Sequence, residues 1–396
     1  MPIVPDEAFE ANPIWDEEAE LGETEEDLKG LSGGATFDAL VVATDWTTET
    51  LLAQIRRGNV ELDPVFQRRD AWTRQKKSRF IESVMVGLPV PQIVLAERKG
   101  ARGKFLVLDG KQRLLSLMQY ADGDYRLNGL ELRADLNRLA YDELPPDDLQ
   151  ALETQTIRTI VVRNWQREAF LYLVFLRLNT GSVPLAPQEL RQALHPGPFV
   201  SFVNEYTTDN LEFSSLLRRT APDFRMRDVE LLVRYFAFLR FLPSYTGNLK
   251  DLLDATCERL NEDWASASAR LRDEAQQCLA AIRTTVEVFE EFGFRRWNKD
   301  RFERPFNRAV FDIMVFYGRH GIVRQLMLDR RAEVVAAFKD LCERDAQFVD
   351  ALTTTTKSTD AIHKRLTAWG EALAGLGAEL AIPSRASDGH IDYSPV

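Results

Sequence analysis

Residues 104–117 constrain this chain more than any other stretch. The apolar run Phe105-Leu106-Val107-Leu108 ends in Asp109-Gly110. The polar trio Lys111-Gln112-Arg113 then opens a segment whose apolar residues recur at helical spacing through Tyr120. A short apolar run bounded this way predicts a buried strand, a tight turn and a helix. The turn places charged and amide side chains at a helix N-terminus, where unpaired backbone N–H groups and the helix dipole attract anions. Gly110 lets the backbone approach a ligand closely, and Arg113 has the fork geometry to hold a phosphate bidentately. A plainer reading fits the same residues: a strand–helix corner with Asp109 as the helix cap and Arg113 as a surface ion-pair partner.

A second element lies upstream. Leu62-Asp63-Pro64-Val65-Phe66-Gln67-Arg68-Arg69-Asp70-Ala71-Trp72 leads into a helical pattern over 73–86, then Gly87-Leu88-Pro89-Val90-Pro91 and an apolar strand from Gln92. Gln67, Arg68 and Trp72 offer an amide, a guanidinium and a stacking plane within one loop, a set suited to a phosphate and a base. Trp72 anchoring the loop to the core, with Arg68 paired to Asp70, is the plainer alternative.

This order of motifs resembles the N-terminal domain of the GmrSD-type modification-dependent restriction endonucleases, whose core is similar to ParB and sulfiredoxin. Phe175-Leu176-Arg177-Leu178-Asn179-Thr180-Gly181, Leu185 and Gln188-Glu189-Leu190-Arg191 resemble that family's second motif block, and the resemblance covers about residues 45–320. It implies an α+β fold: a ParB/sulfiredoxin-like N-terminal domain followed by an all-helical domain. It also implies a nucleoside triphosphate as substrate or effector with Mg²⁺, DNA as a partner, and a nuclease subunit acting beside this chain in a restriction-type system. On that resemblance Asp109 and Arg113 are the candidate catalytic residues, with Asp109 the candidate Mg²⁺ ligand. Gln67, Arg68, Trp72, Gly110, Lys111, Gln112 and Asn179 are candidates for nucleotide or phosphate binding. Lys111 stands where the family often has Gln. Two rival readings stay open, a non-catalytic DNA-binding or sensing module and a metal-dependent nuclease built on the core itself.

The acidic balance of the chain, −11 over 396 residues, is unevenly spread. Residues 1–38 hold 12 acidic side chains against Lys29 alone, whereas residues 56–113 hold 14 basic and 6 acidic groups. An anionic partner for the motif segment is therefore compatible with the overall acidity. Cys257, Cys278 and Cys342 are too widely spaced for a disulfide framework or a Cys-x-x-Cys pair, which favours reduced thiols and a cytoplasmic setting. The first residues are acidic and show no basic-plus-apolar leader, and the longest apolar stretch, residues 169–176, is too short to span a bilayer. No Walker A loop, Gly-x-Ser-x-Gly elbow or His-Glu-x-x-His occurs, and the four histidines, at 195, 320, 363 and 390, lie far apart.

The organisation read from these patterns is an acidic mobile tail over 1–39, a nucleotide-binding domain over 40–165, a helical domain over 166–382 and a frayed end over 383–396. Within the first domain the patterns predict helices over 49–57, 73–86 and 111–121, and a short one from about Leu144. Strands are expected over 92–98, 104–108 and 156–162, with residues 125–132 extended. Beyond Arg167 they predict helices over 167–178, 187–194, 228–242, 249–264, 266–292, 305–319, 331–346 and 359–376. A basic–aromatic cluster, Arg295-Arg296-Trp297 with Lys299, Arg301 and Arg304, falls in a polar connection and is open to nucleic-acid, partner or plain solvent contact.

Overall fold

A computed structural model of the chain describes residues 39–62, 72–168, 170–171, 173–174, 186–354, 356–386 and 390–393. The acidic tail, Gln67, Arg68, Asn179 and the end of the helix expected over 167–178 lie outside the described residues. Two compact units account for the rest: one runs to Leu194 and includes Phe224–Met226, and the other holds residues 195–223 and 227–396.

The first unit is mixed α/β. Four strands, β1 (Leu40–Thr47), β2 (Ile93–Glu97), β3 (Phe105–Asp109) and β4 (Thr156–Arg163), form one sheet in the order β1-β4-β2-β3. β1 and β4 are antiparallel, Leu40 facing Arg163; β4 runs parallel to β2, with Val94 facing Ile160; β2 and β3 form an antiparallel hairpin. Strand alternation sends Ile93, Leu95, Phe105, Ile157 and Val161 to one face. There they meet Leu51 and Ile81 from helices α1 (Thr48–Arg56) and α2 (Arg74–Met85). Leu114 of α3 (Lys111–Ala121) and Leu152 of α4 (Pro146–Thr154) join the same core. Val94, Ala96, Leu108 and Val162 point the other way, onto Trp165, Leu171 and Leu190 of α5 (Pro187–Leu194). Because Leu190 packs on the sheet, this unit continues past residue 165 to Leu194.

Local chemistry sets the helix ends. The Thr47 side chain accepts from Thr50 N–H at the start of α1, and Thr73 accepts from Lys76 N–H at the start of α2. Pro146 occupies the first turn of α4, ahead of Asp147 and Asp148. Two segments show more than the sequence patterns gave. Residues 40–47, read only as the start of ordered chain, form an edge strand; its burial alternates from Val41 to Trp46, but the unbroken apolar run Leu40–Ala43 hides that period in the sequence. Residues 125–132 form no strand. Several backbone donors here go to α2 side chains: Ser78 Oγ accepts from Asn128 N–H at 2.9 Å, and the Glu82 carboxylate accepts from Glu131, Leu132 and Arg133 N–H at 3.3, 2.7 and 2.7 Å. Tyr125, Leu127 and Leu130 are buried all the same, so the apolar pattern there marks burial rather than strand pairing.

The second unit is helical apart from two short hairpins. Its helices are α6 (Pro198–Asp209), α7 (Glu212–Leu216), α8 (Arg227–Phe241), α9 (Leu249–Glu262), α10 (Trp264–Phe289), α11 (Arg308–Gly318), α12 (Gly321–Asp329), α13 (Arg331–Arg344), α14 (Ala346–Thr353) and α15 (Thr359–Gly375). The patterns missed α6, α7, α12 and α14. Gly197-Pro198 resembles a breaker, yet Pro198 sits in the first turn of α6, where its missing N–H costs nothing. A buried network ties the unit together: Asp312 accepts from Arg234 at 2.5 Å and from Arg365 at 2.9 Å. All three cysteines are free thiols; burial raises Cys278 well above the usual range and pushes Cys342 to about 11.

The expected fraying over 383–396 does not hold for the described residues there. β7 (Ser384–Arg385) pairs with β8 (Ile391–Asp392), Ile391 and Tyr393 are buried, and the Tyr393 ring lies 4.9 Å from that of Phe316. The basic–aromatic cluster is a hairpin, β5 (Trp297–Asn298) with β6 (Arg301–Phe302), rather than a loose connection. Arg295 is buried and donates to the carbonyls of Glu291, Gly293 and Arg304; Arg296 pairs with Glu303; Trp297 Nε1–H donates to Glu343 at 2.7 Å. Much of its chemistry is spent internally.

Candidate functional site

The β3–α3 corner forms as the sequence predicts. Asp109 closes β3 opposite Val94, beside an irregularity in the β2–β3 register between Val94 and Leu95. Gly110 follows with φ +95° and ψ 10°, a left-handed conformation. A Cβ there would lie 3.0 Å from Ile93 Cγ1 and 3.3 Å from Ile93 Cα, so both the dihedral angle and the space call for glycine. Gly110 is also the cap residue of α3 and supplies no side-chain hydrogen bond to it. The cap position of α3 thus belongs to Gly110 and not to Asp109. That is the anion-friendly arrangement described for helix N-termini.

Arg113 does not project into solvent. Its Nη2 donates to Asp109 Oδ2 at 2.8 Å and to the Gln92 carbonyl at 2.9 Å, and its side chain is 8% exposed. The guanidinium thus clamps the strand end and the preceding Pro-rich turn to the first turn of α3. Its Nε is buried without a partner among the described residues. Asp109 keeps 23% of its side chain exposed, with Oδ2 turned to Arg113. The arrangement orients one carboxylate at the mouth of a helix N-terminus and backs it with a fixed cation.

Lys111 is buried too. Its Nζ donates to Glu189 Oε1 at 2.7 Å, both side chains being under 10% exposed, and Glu189 Oε2 accepts from the Ala186 N–H at 2.8 Å. Glu189 belongs to the second motif block, so the two blocks meet at the corner. Gln112 is half-buried on the same turn. Sequence reasoning missed the partners of these residues, the Gln92 carbonyl and Glu189. An acidic residue at the third position of α5 was the available signal, since such a carboxylate reaches back to its own helix start.

Trp72 stands at the entrance to α2. Its ring meets Phe80 edge-on at 5.8 Å between centroids, and Lys76 Nζ lies 4.9 Å above it. The partly buried ring packs on the core. The cations of α2 divide: Lys77 is buried and donates to Gln119 at 2.7 Å, and Arg79 pairs with Glu131 at 2.5 Å, while Arg74 and Lys76 are exposed. Of these four cations, Lys77 alone is withdrawn from the surface. Two cavities, of about 470 Å³ beside Ser358 and His363 and about 370 Å³ beside Ile322 and Arg330, lie in the helical unit, and none of the corner residues lines either. Among the described residues no helix is long and apolar enough to cross a membrane.

Neither a curated protein nor a solved structure matches the chain. A family model does match, and its span runs from the first residue of α1 to just past the end of α5, enclosing the corner and both partners of its ion pairs. Residues 48–196 of the chain match the family model described as GmrSD restriction endonuclease, N-terminal domain.

Proposed function

We propose that the β3–α3 corner binds a nucleoside triphosphate with Mg²⁺ and hydrolyses it, and that the chain serves as the nucleotide-dependent subunit of a restriction-type system acting on foreign DNA. The family match supports the system, and the Asp109–Gly110–Arg113 geometry supports the site. In this reading the core is ParB/sulfiredoxin-like. First-turn amides of α3 receive phosphate oxygens, and Asp109, oriented by Arg113, is the carboxylate that meets the metal. A single partly exposed carboxylate fits Mg²⁺ carried largely by substrate phosphates and water rather than caged by protein. Bound there, Mg²⁺ would neutralise phosphate charge. Arg113 offsets charge that develops during phosphoryl transfer, a reaction governed by positioning and electrostatics. Gln67, Arg68, Trp72, Gln112 and Asn179 complete the proposed nucleotide contacts, and exposed Arg74 and Lys76 offer DNA phosphate contacts.

The test incubates the purified chain with each nucleoside triphosphate and Mg²⁺, with and without DNA, and scores phosphate release and strand cleavage together. Release by the wild type and its loss in folded Asp109→Ala and Arg113→Ala variants is the expected result. Losing one charge-assisted contact costs about 1.5–3 kcal/mol. Salt-sensitive DNA binding without any phosphate release would transfer the site to a non-catalytic DNA reader. Metal-dependent DNA cleavage abolished by Asp109→Ala would make it a nuclease.

A further inference from the structure

Lys111 is the first residue of α3, where a cation faces the positive end of the helix dipole. Left alone it would weaken the helix start. Glu189 relieves that conflict, and the carboxylate is shared: one oxygen takes the Lys111 ammonium at 2.7 Å and the other takes the Ala186 N–H at the start of α5 at 2.8 Å. The partners lie 78 positions apart in sequence and are 7% and 6% exposed. One carboxylate therefore holds the starting turns of two helices. On the other side of the same turn, Arg113 ties α3 to Asp109 and to the Gln92 carbonyl. Lys111 and Arg113 thus pull the first turn of α3 in two directions, and the placement of its amides depends on both.

We propose that the buried Lys111–Glu189 pair is a positioning device that sets the corner by locking the first turn of α3 to the starting turn of α5. Lys111 is then a positioning residue and not a phosphate ligand, and Glu189 is its counterpart. The activity arm of the test rests on the nucleotide reading above; the exchange arm does not.

The experiment compares wild type, Lys111→Met, Glu189→Gln and the double variant by backbone hydrogen exchange without nucleotide. Each single change should speed exchange at least tenfold in both segments, residues 111–116 and residues 187–194. The double variant removes the buried charge at both ends while the substituted amide still offers an oxygen to Ala186, so exchange should return toward wild type. It also remains usable if a single variant does not fold. Exchange that changes only in the segment carrying the substitution would overturn the proposal. In phosphate release, both single variants should lower kcat by about the same factor, with KM within threefold of wild type. A KM rise confined to Lys111→Met would make Lys111 a phosphate ligand and also overturn it. A wild type that releases no phosphate would count against the nucleotide reading alone, and the exchange result would still decide this proposal.

Discussion

Removing the Glu82 carboxylate is the sharpest test of how residues 128–133 are held. Glu82 is 4% exposed and accepts three backbone N–H groups, two at 2.7 Å and one at 3.3 Å. Hydrogen bonds to a charged group each contribute about 1.5–3 kcal/mol, which makes the two short bonds worth roughly 3–6 kcal/mol together. The 3.3 Å bond adds little. Two effects reduce the net loss. Leu132 is 62% exposed, so its released N–H can reach water, and Glu82→Ala also removes the cost of burying a charge. A net loss of about 2–4 kcal/mol is expected for Glu82→Ala and about half that for Glu82→Gln, which keeps one acceptor. The chain has two compact units, so a single global transition is a poor measure; hydrogen exchange over residues 128–133 reads the effect directly. Unchanged protection there in a folded Glu82→Ala variant would refute the account of this segment.

Gly110→Ala meets both a positive φ and a 3.0 Å contact with Ile93, so it should cost about 2–4 kcal/mol in urea unfolding of the sheet unit, whereas Gly123→Ala, at a positive φ with open space, should cost less. His320 is held down to about 4 by burial and then by Arg319 and Arg324. Its neutral form is the folded one, so its contribution is intact above the unfolded value near 6.5 and is lost as pH falls from there toward 4. Melting temperatures between about pH 7 and pH 4 should fall less steeply in His320→Gln, and parallel curves would dismiss the effect. Breaking the buried network with Asp312→Asn leaves Arg234 and Arg365 facing an amide and should cost about 3–5 kcal/mol in the helical unit, read by thermal unfolding.

The corner was legible because three independent signals coincided there: an apolar strand, an Asp-Gly turn and a 3.6-residue period beginning at Lys111. Thr47 and Thr73 as helix caps belong to the same kind of information, since a cap acts within three residues. What the sequence hid was long-range. Nothing near Lys111 says that its charge will be met by Glu189, and nothing near Tyr125 says that Glu82 will take the place of a neighbouring strand. Arg113 shows the same limit, because nothing in its neighbourhood in the sequence says that its guanidinium will also hold the Gln92 carbonyl. Short helices such as α14 escaped because eight residues barely complete two turns of periodicity.

The sheet order carries a consequence for how the chain is made. β1 joins the sheet only through β4, and β4 alone also connects it to the β2–β3 hairpin. During synthesis the first strand must therefore wait until β4, from Thr156 to Arg163, emerges before it has a backbone partner in the sheet. Every backbone pairing it makes there closes a loop of more than a hundred residues, the slow and entropically costly kind. Until then the apolar residues of β1 and one edge of the hairpin stand uncovered together, a template for pairing with the wrong chain. A fragment cut before Thr156 would carry the whole corner sequence, Asp109 through Arg113, yet lack the strand that holds its sheet together. Such a fragment is expected to aggregate, whereas one ending after α5 retains every strand of the sheet.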